Sequence, residues 1–132
     1  MKGSLNILKQ YLSKHSSQQL YDAWISENMV IAPITKIESD PCKGGQFILH
    51  SRSPQGAARM VGKFMDLVPN EKIVYTWHWE GSDEDTLITV TFTEQDGITH
   101  VHIGHEGFQT QESLDMHDAG WDAYFEALEK ML

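Results

Sequence analysis

The spacing of apolar residues changes once along this chain, and that change constrains the fold more than any other feature. Between residues 34 and 106, apolar side chains recur at every second position in short runs bounded by turn residues, the period of half-buried strands. From about Glu112 the interval lengthens to 3.6. Leu114, His117, Trp121, Tyr124 with Phe125, Leu128 and Leu132 then fall on one stripe, while Asp115, Asp118, Asp122, Glu126 and Glu129 lie mostly off it. A long helix with such a face must be covered, and only a sheet made from the preceding residues is large enough to cover it.

Upstream, Leu5 to Leu12 alternates weakly (Leu5, Ile7, Tyr11) and reads as a first strand. Ser16 and Ser17 suit a helix cap, after which Leu20, Tyr21 and Trp24 share one face of a helix running to Ile25. Pro33 ends any helical turn that follows. Strands are predicted over Ile34–Ser39 and Gln46–Ser51, separated by Pro41-Cys42-Lys43-Gly44-Gly45, a turn by composition. Ala57–Leu67 and Lys72–Trp79 flank Val68-Pro69-Asn70-Glu71, with proline where a type I turn favours it. Asp85–Glu94 and Ile98–Glu106 flank a hairpin tip at Asp96-Gly97. The order is strand, helix, about six strands and one long helix, an α+β fold.

At 132 residues the chain reads as one domain, 1–132, able to bury roughly two-thirds of its unfolded surface. Its single cysteine, Cys42, excludes an internal disulfide framework and a cysteine-rich zinc site. No apolar run reaches the ~18 residues of a membrane helix. The opening Met1-Lys2-Gly3-Ser4-Leu5-Asn6 does not read as a secretory signal, so a cytoplasmic protein is expected. The net charge of −9 is uneven: residues 1–79 carry +3 and residues 80–132 carry −12, with Lys130 the one base there. That half repels phosphate, which excludes nucleic acid as a partner. It serves solubility, or it meets a partner with a basic surface.

No catalytic constellation stands out. Cys42 sits in a turn with no histidine near it in sequence, and no nucleophile elbow, Gly-rich phosphate loop or His-Glu-x-x-His is present. His100, His102 and His105 lie on one strand, where His105 has the opposite parity to the other two. Two ligands are fewer than zinc takes from protein, and Val101 and Ile103 are expected to face the core with His100 and His102 outside, so no metal site is predicted.

Four local motifs, in order, carry a resemblance over nearly the whole chain: Tyr21-Asp22-Ala23-Trp24; Gly44-Gly45-Gln46-Phe47; Asp66 to Trp77, containing the turn Val68-Pro69-Asn70-Glu71; and Gly120-Trp121 followed by Tyr124, Phe125 and Leu128. The chain resembles the activator of heat-shock-protein ATPase homologue family, within the START and birch-pollen-allergen superfamily. The resemblance implies a helix-grip fold: a curved antiparallel sheet of about six or seven strands wrapped around the C-terminal helix, with short helices after the first strand and a cavity between sheet and long helix. The family usually carries a tryptophan pair shortly after the first helix, where this chain reads Asn28-Met29-Val30-Ile31-Ala32-Pro33.

Such a cavity would be lined by Tyr75, Trp77 and Trp79, alternating on one strand, with Trp24, Phe64, Phe92, Trp121 and Tyr124; the same rings could equally be simple core. His117, on the helix stripe, is either a satisfied structural histidine or a polar anchor for a ligand. Gly120, costly in mid-helix, marks either close packing or space for a ligand. Three functions fit: a module binding a small apolar or aromatic molecule, a co-chaperone-like module for a basic protein partner, and a cyclase- or hydratase-type enzyme using His117 as general acid or base. The first is the principal expectation, with no cofactor and a monomeric or homodimeric state.

Overall fold

A computed structural model describes residues 5–132; the start of the segment read above as lacking a secretory signal, residues 1–4, lies outside the described residues. The elements follow as β1 (Asn6–Ser13), α1 (Ser17–Trp24), β2 (Ile34–Ser39), β3 (Gln46–Ser53), β4 (Gly56–Val68), β5 (Lys72–Trp79), β6 (Thr86–Gln95), β7 (Ile98–Glu106) and α2 (Gln111–Met131). The strands form one antiparallel sheet in the order β1-β7-β6-β5-β4-β3-β2, so the first strand pairs with the last while the rest are successive hairpins. This is the helix-grip arrangement with seven strands.

Each hairpin closes on residues that tolerate its backbone. Asp96 and Gly97 both have positive φ, 54° and 78°, the requirement of the two-residue turn between β6 and β7. At the β4–β5 turn the Glu71 amide donates to the Val68 carbonyl, but Asn70 has φ 65°. A type I turn does not allow that value at its third position, so proline here opens a type II turn, and asparagine tolerates the left-handed conformation.

α1 starts at Ser16 with a complete capping box: the Ser16 hydroxyl accepts from the Gln19 amide, and the Gln19 side chain accepts from the Ser16 amide. Leu20, Tyr21 and Trp24 are buried against the sheet, where Phe92 of β6 meets the edges of the Tyr21 and Trp24 rings. One short helix follows β1, not several. After Ile25 the Ser26 hydroxyl takes the Asn28 amide, a local bond that competes with helix, and the chain runs irregularly to Pro33. No described helix is long and apolar enough to cross a membrane.

Inward parity places Ile73 and Tyr75 of β5, Ile88, Val90 and Phe92 of β6, and Val101 and Ile103 of β7 in the core. α2 is capped by the Thr110 hydroxyl, which accepts from the Ser113 amide, and buries Trp121, Phe125 and Leu128.

Candidate functional site

α2 is fastened along one edge of the sheet. Phe125 stacks on Tyr11 of β1 with ring centroids 4.4 Å apart and planes within 9°. Lys9 Nζ lies 3.1 Å from Asp118 and 2.8 Å from Asp122, and the Tyr11 hydroxyl donates to Asp122 at 2.6 Å. Further along, Ser13 Oγ donates to Glu129 at 2.9 Å. Held against β1, the helix reaches β5 through His117 and Trp77 and otherwise turns toward β2–β5 a flank of small side chains, Gly120, Ala123 and Ala127, that leaves a gap.

The gap is a cavity of about 710 Å³, the size of a small-molecule site. Tyr75, Trp77 and Trp79 of β5 and Phe47 and Leu49 of β3 line it, and the irregular segment after α1 adds Met29 and Ile31 to Pro33. Asn28–Pro33 is the stretch without tryptophans, and its aliphatic side chains form one lip. Met116, 67% exposed, stands on the other. Among the described residues no lysine, arginine, aspartate or glutamate lines the cavity.

Of the residues singled out from sequence, Trp24, Tyr75, Trp77, Trp79, His117, Gly120, Trp121 and Tyr124 border this space, and Phe64 and Phe92 do not. Phe64 is 1% exposed, packed against the rings of Phe47 and Tyr75, which stand between it and the cavity. Phe92 is covered by α1. Both are core. Gly120 is not held by close packing: an added Cβ would meet nothing within 4 Å. Gly120→Ala is therefore expected to raise stability by about 1 kcal/mol through helix propensity alone, read as a higher urea midpoint at unchanged slope.

Two histidines and two tryptophans make a closed polar network in the wall. The Trp77 indole N–H donates to His117 Nε2 at 3.2 Å, so His117 carries its proton on Nδ1 and donates it to the Ser113 carbonyl at 2.8 Å. The Trp121 indole N–H donates to His105 Nδ1 at 3.0 Å. His105 Nε2–H then donates to Thr86 Oγ1 at 2.7 Å, whose own proton goes to the Trp77 carbonyl. His105 is 1% exposed, and burial pushes its pKa down to about 3, with repulsion from nearby His117 adding to the effect. Every ring nitrogen of the two histidines is engaged, so His117 stands at the cavity wall with both nitrogens bonded within the protein.

The tyrosines differ. The Tyr75 hydroxyl accepts the Trp24 indole N–H at 3.1 Å, and its own proton has no acceptor among the described residues. The Tyr124 hydroxyl has no hydrogen-bond partner among them. Burial holds both phenols well above their ordinary pKa, and for Tyr124 the proximity of Tyr75 raises it further. Both are neutral donors at any physiological pH. Tyr124 is only half-buried because its free surface faces the cavity.

His105 is the site residue that the parity of β7 signals, since it aligns with Val101 and Ile103. His102 is exposed on the outer face and His100 is half-buried there, with Gln10 Nε2 3.1 Å from His100 Nδ1. Among the described residues no group of three or more His, Cys, Asp or Glu side chains could hold a metal ion. The Cys42 thiol is exposed, and desolvation and the Asp40 side chain hold its pKa above the usual range, unlike an activated nucleophile.

The fold recurs in solved structures. Protein CV1439 from Chromobacterium violaceum superposes with a TM-score of 0.85 at 18% identity, over 96% of this chain and 95% of that one. Protein MLL2253 from Mesorhizobium loti gives 0.82 at 21% identity, over 95% and 94%. PFC0360w, an HSP90 activator from Plasmodium falciparum, gives 0.78 at 17% identity, over 98% and 96%. The human activator of 90 kDa heat shock protein ATPase homolog 1 is 28% identical over 116 residues; the match covers 83% of this chain and 31% of that protein, so this chain spans about a third of its length. The model of the family described as "Activator of Hsp90 ATPase homolog 1-like protein" matches residues 14–132, and the chain belongs to that family.

Proposed function

We propose that this protein binds a small apolar or aromatic molecule in the cavity between α2 and the β2–β5 half of the sheet. The observation that carries the reading is the unfilled space of about 710 Å³ under a helix flank of small residues, walled by aromatic rings and, among the described residues, free of charged side chains. A core that only needed filling would place larger side chains at Gly120, Ala123 and Ala127, since close packing is where interiors gain their last few kcal/mol. Burying an apolar ligand there contributes about 25 cal/mol per Å² of surface removed from water. The exposed Cys42 is compatible with a reducing, cytoplasmic setting.

The test is a fluorescence titration with N-phenyl-1-naphthylamine, beside native mass spectrometry of untagged protein for a mass lost on denaturation. Binding by the parent chain and loss of at least tenfold in affinity in Ala127→Phe, with the unfolding midpoint kept, is the expected result. No probe binding and a bare protein mass would sink the reading.

A second reading has its own observation. Residues 80–132 carry −12, and two relatives are described as activators of the 90 kDa heat-shock protein. A protein partner with a basic surface would be steered by that field and released by salt. Lys9 already engages Asp118 and Asp122, which blunts the acidic face of α2 on that side. Absence of co-sedimentation with the heat-shock ATPase at low salt would remove this reading.

A further inference from the structure

We propose that the cavity's ligand carries one uncharged carbonyl oxygen, received by the hydroxyls of Tyr124 and Tyr75; the inference rests on the cavity being a binding site. Most other polar groups along the wall are consumed by the protein itself. Both nitrogens of His105 and of His117 are bonded, and the indole N–H groups of Trp77 and Trp121 are given to those rings. The Ser26 hydroxyl accepts the Asn28 amide and keeps its own proton. Ser51 pairs with Ala58 in the ladder, six residues along β4 from Phe64, the partner of Tyr75. At about 3.3 Å per residue that separates its backbone from that of Tyr75 by roughly 20 Å along the strand direction. Of the donors left without an acceptor among the described residues, the Trp79 indole N–H and the Ser26 and Ser51 hydroxyls stand singly, whereas the phenols of Tyr75 and Tyr124 flank one ring, that of Trp24.

Trp24 holds them together. Its indole N–H donates to the Tyr75 oxygen, and its ring meets Tyr124 edge-on with centroids 5.1 Å apart. The bond from Trp24 draws electron density from the Tyr75 oxygen and makes its proton a stronger donor. A ligand that covers these phenols shuts water away from them, and an oxygen that accepts their protons avoids the cost of leaving them unpaired. The oxygen belongs to a neutral group: a carboxylate would enter a space lined by no lysine or arginine among the described residues and would lose its hydration without a counter-charge.

The experiment compares benzophenone with diphenylmethane, which has nearly the same shape without the oxygen, and with diphenylacetate for the anion. Each displaces N-phenyl-1-naphthylamine from the full chain. Benzophenone is expected to bind about tenfold more tightly than diphenylmethane, and diphenylacetate more weakly than both. Tyr124→Phe, which leaves no donor or acceptor stranded, is expected to cut the tenfold preference to about threefold or less. Tyr11→Phe, whose hydroxyl bonds Asp122 outside the cavity, is expected to keep it. Equal affinities in the parent chain, an unchanged preference in Tyr124→Phe, or preferred binding of diphenylacetate would overturn the carbonyl while leaving the cavity as a binding site. Failure of every probe to bind would overturn both.

Discussion

Phe64→Ala is expected to destabilise the protein by about 3–5 kcal/mol, whereas Trp79→Ala, which removes the larger side chain, costs roughly 1–2 kcal/mol. The order inverts because of what surrounds each ring. Phe64 is 1% exposed and packed between Phe47 and Tyr75, so its removal opens a new void inside close-packed core. Trp79 is half-buried at the rim of the core and borders a space that already exists, meeting the Trp77 ring edge-on with centroids 5.8 Å apart. Against a total stability of about 5–15 kcal/mol, the first change removes a large part and the second does not. Affinity for N-phenyl-1-naphthylamine follows the opposite order, falling in Trp79→Ala and holding in the folded fraction of Phe64→Ala. Urea unfolding and probe titration on the two variants check both halves; equal costs would mean that the line between core and cavity runs elsewhere.

That line is what the sequence leaves open. The strands, the long helix and the inward parity of β5, β6 and β7 are local patterns of period 2 and 3.6, and alternation alone places Tyr75, Trp77 and Trp79 on one face. The same alternation put His105 beside Val101 and Ile103, a reading available from spacing but not from the residue's polarity. Parity says which face a ring is on; it does not say whether anything covers it. Phe64 and Trp79 share an inward face on neighbouring strands, and only the position of α2 and the segment after α1 separates their fates. That position depends on Lys9 and Ser13 reaching α2 residues 109 to 116 positions away, pairings no local pattern announces. Gly120 shows the limit at one residue. Glycine in mid-helix signals space, but close packing and an open cavity demand it equally, and only the absence of any atom within 4 Å of its missing Cβ distinguishes them. The turn at Pro69 shows a smaller one: proline suits type I and type II alike, and the φ of Asn70 decides.

Stability is expected to fall by about 1.4 kcal/mol per pH unit below pH 6.5 through His105 alone, continuing toward pH 3. In the unfolded chain this imidazole binds a proton below about pH 6.5. In the folded chain burial, and secondarily His117, holds it neutral until about pH 3. Between those values unfolding takes up a proton, so acid favours the unfolded state. The structure gives the reason in bonds. Nδ1 already accepts the Trp121 N–H, so protonating it turns an acceptor into a donor facing a donor. The groups around the ring are Thr86 on β6, Trp77 on β5, Phe108, and His117 and Trp121 on α2; none carries a negative charge to offset an imidazolium. His105→Gln supplies an acceptor for Trp121 and a donor for Thr86 without titrating in this range. Carboxylates titrate in both proteins and cancel in the comparison. The loss of stability between pH 6.5 and 4.5 is therefore expected to be about 2 kcal/mol smaller in His105→Gln than in the parent chain. Urea unfolding at the two pH values measures it, and parallel losses in the two proteins would show that His105 is protonated within the fold.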